Sequence, residues 1–136
     1  MRKFIHAMAI TVLLSGCTHS GDATDPPFLE TTWNVTELYS ENIRYSGSQV
    51  PHLRFEAERV TGHDGCNNFF GPYKLSDDKL SFGLLASTRM ACPQINGFDL
   101  VFHKTLLTTR RFRIDGSRLD LFAGDELLAS FAAAQN

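Results

Sequence analysis

Apolar and polar residues alternate along most of this chain after residue 30, and this period of two limits the fold more than any other feature. The stretch TTWNVTEL places Trp33 and Val35 on one side and polar residues on the other, as in a strand with one buried face. Similar short segments follow, and turn formers such as the Asp115-Gly116 pair separate them. The pattern predicts a series of antiparallel strands.

One later stretch has a helical period instead. The residues of its largely apolar stripe are Phe98, Val101, Phe102, Thr105 and Leu106. Their spacing predicts a helix from about 97 to 108, with Asn96 as its N-cap residue. Strands in series with one late helix predict an α+β domain, in which mainly antiparallel strands form a curled, barrel-like sheet packed on that helix.

The first residues have the order of an export signal. Arg2 and Lys3 precede an apolar run from Phe4 to Leu14, which is too short to span a bilayer. The Leu-Ser-Gly-Cys that ends at Cys17 resembles the lipobox of bacterial lipoproteins, which implies cleavage after residue 16 and a lipid on Cys17. An ordinary secretory signal with an incidental cysteine is the alternative.

Residues 17–29 are expected to be a lipidated N-terminus and a flexible tether, because this segment is polar, small and proline-containing. The folded domain is then residues 30–134, and residues 1–16 are the lipoprotein signal peptide. Thr18 stands where an aspartate is associated with retention in the inner membrane of enterobacteria. For a Gram-negative source we therefore expect a lipid-anchored protein of the outer membrane that faces the periplasm.

The charge balance argues against a nucleic-acid partner. Without Arg2 and Lys3 the chain has 11 basic and 15 acidic side chains, a net charge of about −4. One segment is locally basic. Its arginines are Arg110, Arg111, Arg113 and Arg118. They form either a patch for lipid headgroups or an acidic partner, or the solvated face of a hairpin, which is the commoner arrangement on exposed strands.

The cysteines form an even pair once Cys17 is assigned to the lipid. Cys66 and Cys92 remain, and the expected compartment is oxidising. We therefore expect a disulfide between them. Closing a loop of this length stabilises a fold by about 3 kcal/mol in the chain-entropy model, so the loss of the bond should weaken a small domain.

The segment 61–73, TGHDGCNNFFGPY, allows three hypotheses. His63, Asp64 and Cys66 are the parts of a nucleophile with its base, but a reactive thiol suits an oxidising compartment poorly when a second cysteine is available. The same residues offer too few ligands for a closed zinc site. The third hypothesis is a bent strand pair built on glycine and asparagine. We favour it, and expect no catalytic residue, no metal and no cofactor here.

Several motifs occur in a fixed order between about Thr31 and Phe131. They are WNVTEL, LRF, RVTGxxGCNxFxGxY, LxxTRMACP before the helix, and FRIDGxxLxL. Together they resemble the META domain family, which is also called the HslJ-like family. The motif positions in this chain are Gly62, Gly65, Cys66, Asn67, Phe69, Gly71, Tyr73, Thr88, Met90 and Cys92.

The resemblance implies a barrel-like antiparallel sheet packed on one helix. It also implies a small envelope or secreted protein, in a group linked with heat-shock induction and antibiotic tolerance, and it brings no catalytic residues. We therefore expect a non-enzymatic envelope lipoprotein, attached to the membrane by its lipid, with a binding or structural role in envelope stress response or antibiotic tolerance. Its expected ligand is an unknown protein or an amphiphile. One alternative is an inhibitor of a protease or a lysozyme that uses loops 63–70 and 86–96. Another is a thiol- or metal-dependent activity at His63, Asp64 and Cys66.

Overall fold

The computed structural model describes residues 27–43, 45 and 49–135. The predicted signal peptide, Cys17 and the first part of the predicted tether lie outside these residues. Within the described ranges, no helix is both long enough and apolar enough to cross a bilayer.

Eleven strands and one α-helix make up the described part of the chain. The strands are β1 (Thr32–Leu38), β2 (Glu41–Asn42), β3 (His52–Phe55), β4 (Val60–His63), β5 (Asn68–Gly71), β6 (Tyr73–Ser76), β7 (Lys79–Phe82), β8 (Ala86–Ser87), β9 (Arg111–Asp115), β10 (Arg118–Ala123) and β11 (Glu126–Ala133). A short 3-10 helix, Pro93–Ile95, precedes the helix α1 (Phe98–Thr108). The predicted helix and the predicted hairpin at Asp115-Gly116 are both confirmed.

The strands form a single curled antiparallel sheet in the order β6-β7-β9-β10-β11-β1-β3-β4-β5-β8, and β2 pairs with the end of β1. The sheet is a half-barrel, because β6 and β8 remain as its two edges. Strand β1 lies between β11 and β3, so that Trp33 is paired with Ala133 on one side and Leu53 on the other. The first and last strands of the domain therefore meet in the middle of the sheet. The α+β prediction is confirmed.

Aromatic side chains fill the space between the sheet and the helix. Phe102 of α1 is fully buried, with its ring centroid 6.0 Å from that of Phe69 on β5 and 6.2 Å from that of Phe131 on β11. Trp33 and Phe55 are also inaccessible to solvent. Because strands far apart in sequence contact the same phenylalanine, the helix holds the curl of the sheet in place.

Two details of the helix differ from the prediction. Asn96 does not cap it, because Asn96 and Gly97 both have left-handed backbones and no side chain bonds the first turn. Val101 was expected on the buried stripe but is 44% exposed. Leu100 and Leu107, which lie outside the predicted stripe, are apolar as well. The sequence alone therefore does not settle which face of the helix is buried, and packing against the sheet determines it.

The folded unit reaches further toward the N-terminus than residue 30. Phe28 stacks on Phe55 with a centroid distance of 4.1 Å and contacts Phe112 at 5.0 Å. Leu29 forms an isolated parallel bridge with Phe55, and the Glu30 N–H donates to the Phe55 carbonyl oxygen at 2.8 Å. Residues 28 and 29, which the sequence assigned to the tether, therefore contact the domain.

Gly62 lies on β4 between β3 and β5, where a side chain has no room. A Cβ at this position would lie 2.3 Å from the carbonyl oxygen of His52 and 2.5 Å from Cζ of Phe69. The first of these is a backbone atom, so the paired strands must separate before even a methyl group fits.

We expect Gly62→Ala to lower the free energy of unfolding by about 3 kcal/mol, as overpacking against backbone does at its upper range. Gly124→Ala is the matched control. Gly124 has a φ of 59°, and a methyl group added there would have no atom within 4 Å, so the cost is only the left-handed backbone, about 1 kcal/mol. Urea unfolding under oxidising conditions compares the two variants. Equal losses would contradict the packing argument.

Candidate functional site

The corner between β4 and β5, residues 64–67, is the centre of the motif that the sequence singled out. Gly65 has a φ of 94°, in the region that favours glycine. Its N–H donates to Nδ1 of His63 at 3.0 Å, and the Tyr45 hydroxyl donates to its carbonyl oxygen. The asparagine and glycine residues of this segment therefore form a sharp turn, and the polar groups of the turn are hydrogen-bonded within the fold.

The Asp64 carboxylate organises the corner, although the residue is only 1% exposed. Its Oδ1 accepts the N–H groups of Cys66 at 2.9 Å and Asn67 at 2.6 Å. Its Oδ2 lies 2.8 Å from Nε2 of His103 on α1. A buried carboxylate is costly without such partners, so this side chain connects the corner to the helix.

Cys66 and Cys92 form a disulfide across 26 residues. The Asn67 side chain holds the same loop by a second route. Its Oδ1 accepts the Met90 N–H at 2.7 Å and the Thr88 hydroxyl at 2.9 Å. The loop before the helix is therefore fixed to the corner at several points. Met90 contributes through its backbone, since its side chain is 60% exposed.

The remaining motif residues support the strands on either side of the corner. Phe69 is buried, whereas its neighbour Phe70 is 55% exposed. A Cβ on Gly71 would lie 2.7 Å from the carbonyl oxygen of Leu84. The Tyr73 hydroxyl donates to the Glu56 carbonyl oxygen at 2.6 Å, and burial raises the pKa of this tyrosine.

The structure separates the parts of the predicted nucleophilic set. The Cys66 sulfur is bonded to Cys92, and His63 Nδ1 accepts from the Gly65 N–H rather than from a thiol. Sequence reasoning missed His103, which contacts Asp64 across 39 residues and which no spacing rule identifies. In the described ranges, no group of three His, Cys, Asp or Glu side chains is placed to hold a metal ion.

Burial governs the titration of His63. Desolvation lowers its pKa below the usual value of a histidine, the charge of Asp64 opposes this shift, and the nearby His52 adds to it. The two imidazole rings are nearly parallel, with centroids 6.3 Å apart. For Tyr45, desolvation and the charge of Asp64 both raise the pKa.

Two open grooves lie on the surface near α1. The hairpin groove, of about 590 Å³, lies beside the β6–β7 hairpin and the start of β9, and Arg110 and Arg111 line it. The helix groove, of about 480 Å³, lies between α1 and the segment around Leu85, and His103 lines it. Arg110 belongs to both grooves, so they adjoin.

The predicted basic patch is divided by a buried carboxylate. Asp120 on β10 is 2% exposed and accepts from Arg113 at 3.0 Å, Arg118 at 2.7 Å and the Ser130 hydroxyl at 2.6 Å. Burial raises the pKa of Asp120, but these three hydrogen bonds outweigh it and hold that pKa below the usual range. Arg113 and Arg118 are therefore paired within the sheet, and the other two arginines of the patch line the grooves.

The architecture defines a class of protein: an antiparallel half-barrel with one helix against its inner face and a disulfide-linked corner beside that helix. The family model described as the META domain matches residues 26–135. Because this match covers most of the chain, the chain belongs to the META domain family.

Relatives agree with this assignment. The chain is 29% identical over 133 residues to "Heat shock protein HslJ" of Escherichia coli (strain K12), with 96% of this chain and 90% of that protein covered. An NMR structure of a protein from Burkholderia xenovorans superposes with a TM-score of 0.61 at 21% identity, over the whole of both chains. A second NMR structure has a TM-score of 0.59 at 24% identity and covers 75% of this chain and 88% of its own. These two likenesses concern the fold.

We expect the stability of the domain to fall as the pH is lowered through about 6.5, the usual histidine value, toward the lowered pKa of His63. In that window the unfolded chain binds a proton at His63 that the folded domain excludes. His63→Gln keeps an acceptor for the Gly65 N–H but removes the titration. Urea unfolding at a series of pH values between 5 and 8 should therefore give a smaller slope for this variant. An unchanged slope would show that other groups cause the pH dependence.

Proposed function

We propose that the protein is a non-enzymatic, lipid-anchored envelope protein that acts by binding during stress. The observation that carries this proposal is that the polar groups of the corner are already bonded within the fold. The Cys66 sulfur is in a disulfide, the Asp64 carboxylate has three partners, and the Asn67 amide holds a loop. Reactive side chains in an active site are instead left free to meet a substrate.

Other features support a binding role. Two adjoining grooves remain open at the surface, with volumes in the range of about 300–1,000 Å³ that small-molecule sites have. Leucine side chains near them are unusually accessible, with Leu100 73% exposed. An apolar surface of this kind indicates contact with another molecule.

The anchor and the stress role have separate support. The lipobox resemblance at Cys17 supports a lipid anchor, and the domain begins by Phe28, so a short linker joins the lipid to the fold. The relative named "Heat shock protein HslJ" supports a role in heat stress. In this proposal the anchor faces the periplasm from the outer membrane and holds the grooves close to envelope components.

Replacing Cys17 by Ser tests the proposal in cells. Palmitate labelling and membrane fractionation should detect the unchanged chain in the membrane fraction with label, and Cys17→Ser without either. In a deletion strain, survival at raised temperature should be restored by the unchanged chain and not by Cys17→Ser. Thr18→Ser, which leaves the cysteine in place, is the matched control. Full restoration by unlabelled Cys17→Ser would contradict an anchored function.

The loop held by Asn67 favours a second candidate, an inhibitor. Arg89 and Met90 are exposed, while Asn67 accepts the backbone N–H of Met90 and the disulfide holds Cys92, two residues further along the chain. A preorganised loop loses little conformational entropy on binding. An arginine held out on such a loop suits the cleft of a protease that cleaves after basic residues.

An assay with a trypsin-like protease tests this candidate. We expect micromolar inhibition or better, reduced about a hundredfold by Arg89→Ala because the charged anchor is lost. Lys104→Ala removes an exposed cation from α1 and should leave inhibition unchanged. Rapid cleavage at Arg89 with no inhibition would exclude the inhibitor hypothesis.

A further inference from the structure

The hairpin groove exists because the β6–β7 hairpin departs from the rest of the sheet. Strand β7 pairs with β9 through a single residue pair, Lys79 with Arg111. Two flanking hydrogen bonds complete the junction: Leu80 N–H to the Arg110 carbonyl oxygen at 3.1 Å, and Phe112 N–H to the Asp78 carbonyl oxygen at 2.9 Å. Beyond this short junction the β6–β7 hairpin diverges from β9, and the hairpin groove lies along the hairpin.

Four cationic side chains line this groove, and one carboxylate accompanies them. The cations are Lys74, Lys79, Arg110 and Arg111, and the carboxylate is Asp78. The domain as a whole is acidic, so the groove is a local exception. Within the described residues, no acidic side chain forms an ion pair within 4.0 Å of either lysine. Asp78 partly offsets Arg111, because its Oδ2 lies 4.0 Å from Nε of Arg111. An anion in the groove therefore meets uncompensated positive charge at the two lysines.

The two arginines are positioned in advance. Arg110 Nη1 donates to the carbonyl oxygens of Leu107 at 2.8 Å and Thr109 at 2.7 Å, at the end of α1. Arg111 lies over the ring of Phe122, 4.4 Å from its centroid, and donates to the Gly124 carbonyl oxygen at 3.2 Å. Guanidinium groups held in this way lose little freedom when they bind a ligand.

The rest of the lining consists of two leucines, two serines and a glycine, namely Leu75, Leu80, Ser76, Ser81 and Gly124. Leu75 on β6 is an apolar side chain that is 45% exposed. The aliphatic parts of the lysine and arginine side chains add to this surface, since such side chains place their methylene groups along apolar contacts and their charges outward. The groove thus combines an apolar strip with a cationic rim.

We infer that the hairpin groove binds a single-chain anionic amphiphile, that is, one acyl chain with a carboxylate or phosphate head. The head pairs with the lysines and with the free donors of the arginines, and the chain lies along Leu75. This inference deepens the proposed binding function and rests on it. Free fatty acids and acidic lysophospholipids both have this chemistry.

Calorimetric titration of the chain from residue 18 onward tests the inference, because that chain retains every contact described above. The probes are laurate, dodecyl phosphate and dodecyltrimethylammonium, each below its micelle concentration, and dodecanol below its solubility limit. We expect binding of the two anions, weakening with added salt, and little binding of the alcohol or the cation. Preference for laurate indicates a fatty-acid ligand, and preference for dodecyl phosphate indicates a lysophospholipid. Equal binding of all four probes would overturn the inference.

Variants locate the site. The double variant Lys74→Glu, Lys79→Glu should bind laurate at least about tenfold more weakly, as expected when hydrogen bonds to a charged group are lost. Leu75→Gln should weaken binding by about threefold. Lys104→Glu in the helix groove and Leu84→Gln, at a residue that is 89% exposed, are the matched controls and should bind as the unchanged chain does. Equal weakening by the controls would place the ligand elsewhere.

Vesicles separate the groove from a membrane-docking surface. Binding to anionic phosphatidylglycerol vesicles without binding to monomeric laurate would overturn the groove inference in favour of docking on lipid headgroups. Failure of the laurate titration leaves the cellular test at Cys17 unaffected. The inference and the proposed function can therefore fail separately.

Discussion

The buried carboxylate of Asp64 is the interaction on which the arrangement of this domain depends. A carboxylate with 1% exposure needs hydrogen bonds for both of its oxygens. One oxygen accepts hydrogen bonds from two backbone N–H groups of its own turn, and the other lies within hydrogen-bond distance of the His103 imidazole. The turn therefore has a fixed shape, and the helix has a fixed position relative to it. The disulfide from Cys66 holds the segment just before that helix.

Polar groups and aromatic packing act on the same helix from two sides. At the corner, His103 is bonded to Asp64 and also packs edge-on against Phe69, with centroids 5.3 Å apart. One residue earlier, Phe102 enters the core between β5 and β11. Because one turn of α1 makes both contacts, the opposite face is free of the core. The exposed leucines Leu100 and Leu107 lie on that side and line the helix groove together with His103. The hairpin groove lies beside the sheet, at the β6–β7 hairpin and the start of β9.

The positive charges of the domain are distributed according to whether a buried carboxylate lies nearby. Where a carboxylate is buried, as at Asp120, nearby arginines are used to stabilise it, and they add little free positive charge to the surface. Where the β6–β7 hairpin leaves the sheet, no buried acid is present among the described residues of the groove, and lysine and arginine charges accumulate. The four arginines between residues 110 and 118 thus form two pairs with different surroundings.

The sequence by itself determined the fold class, the helix and the family, because period-two and period-3.6 patterns and turn residues act locally. It also indicated Cys66 and Cys92 as partners, since they are an even pair once Cys17 is set aside. It could not identify His103 as the partner of Asp64, the packing of Phe28 against the core, or the exposure of Val101 and Phe70. Those depend on which strands meet across the curled sheet. Only the tertiary structure decides them, because side chains distant along the chain compete for the same enclosed space.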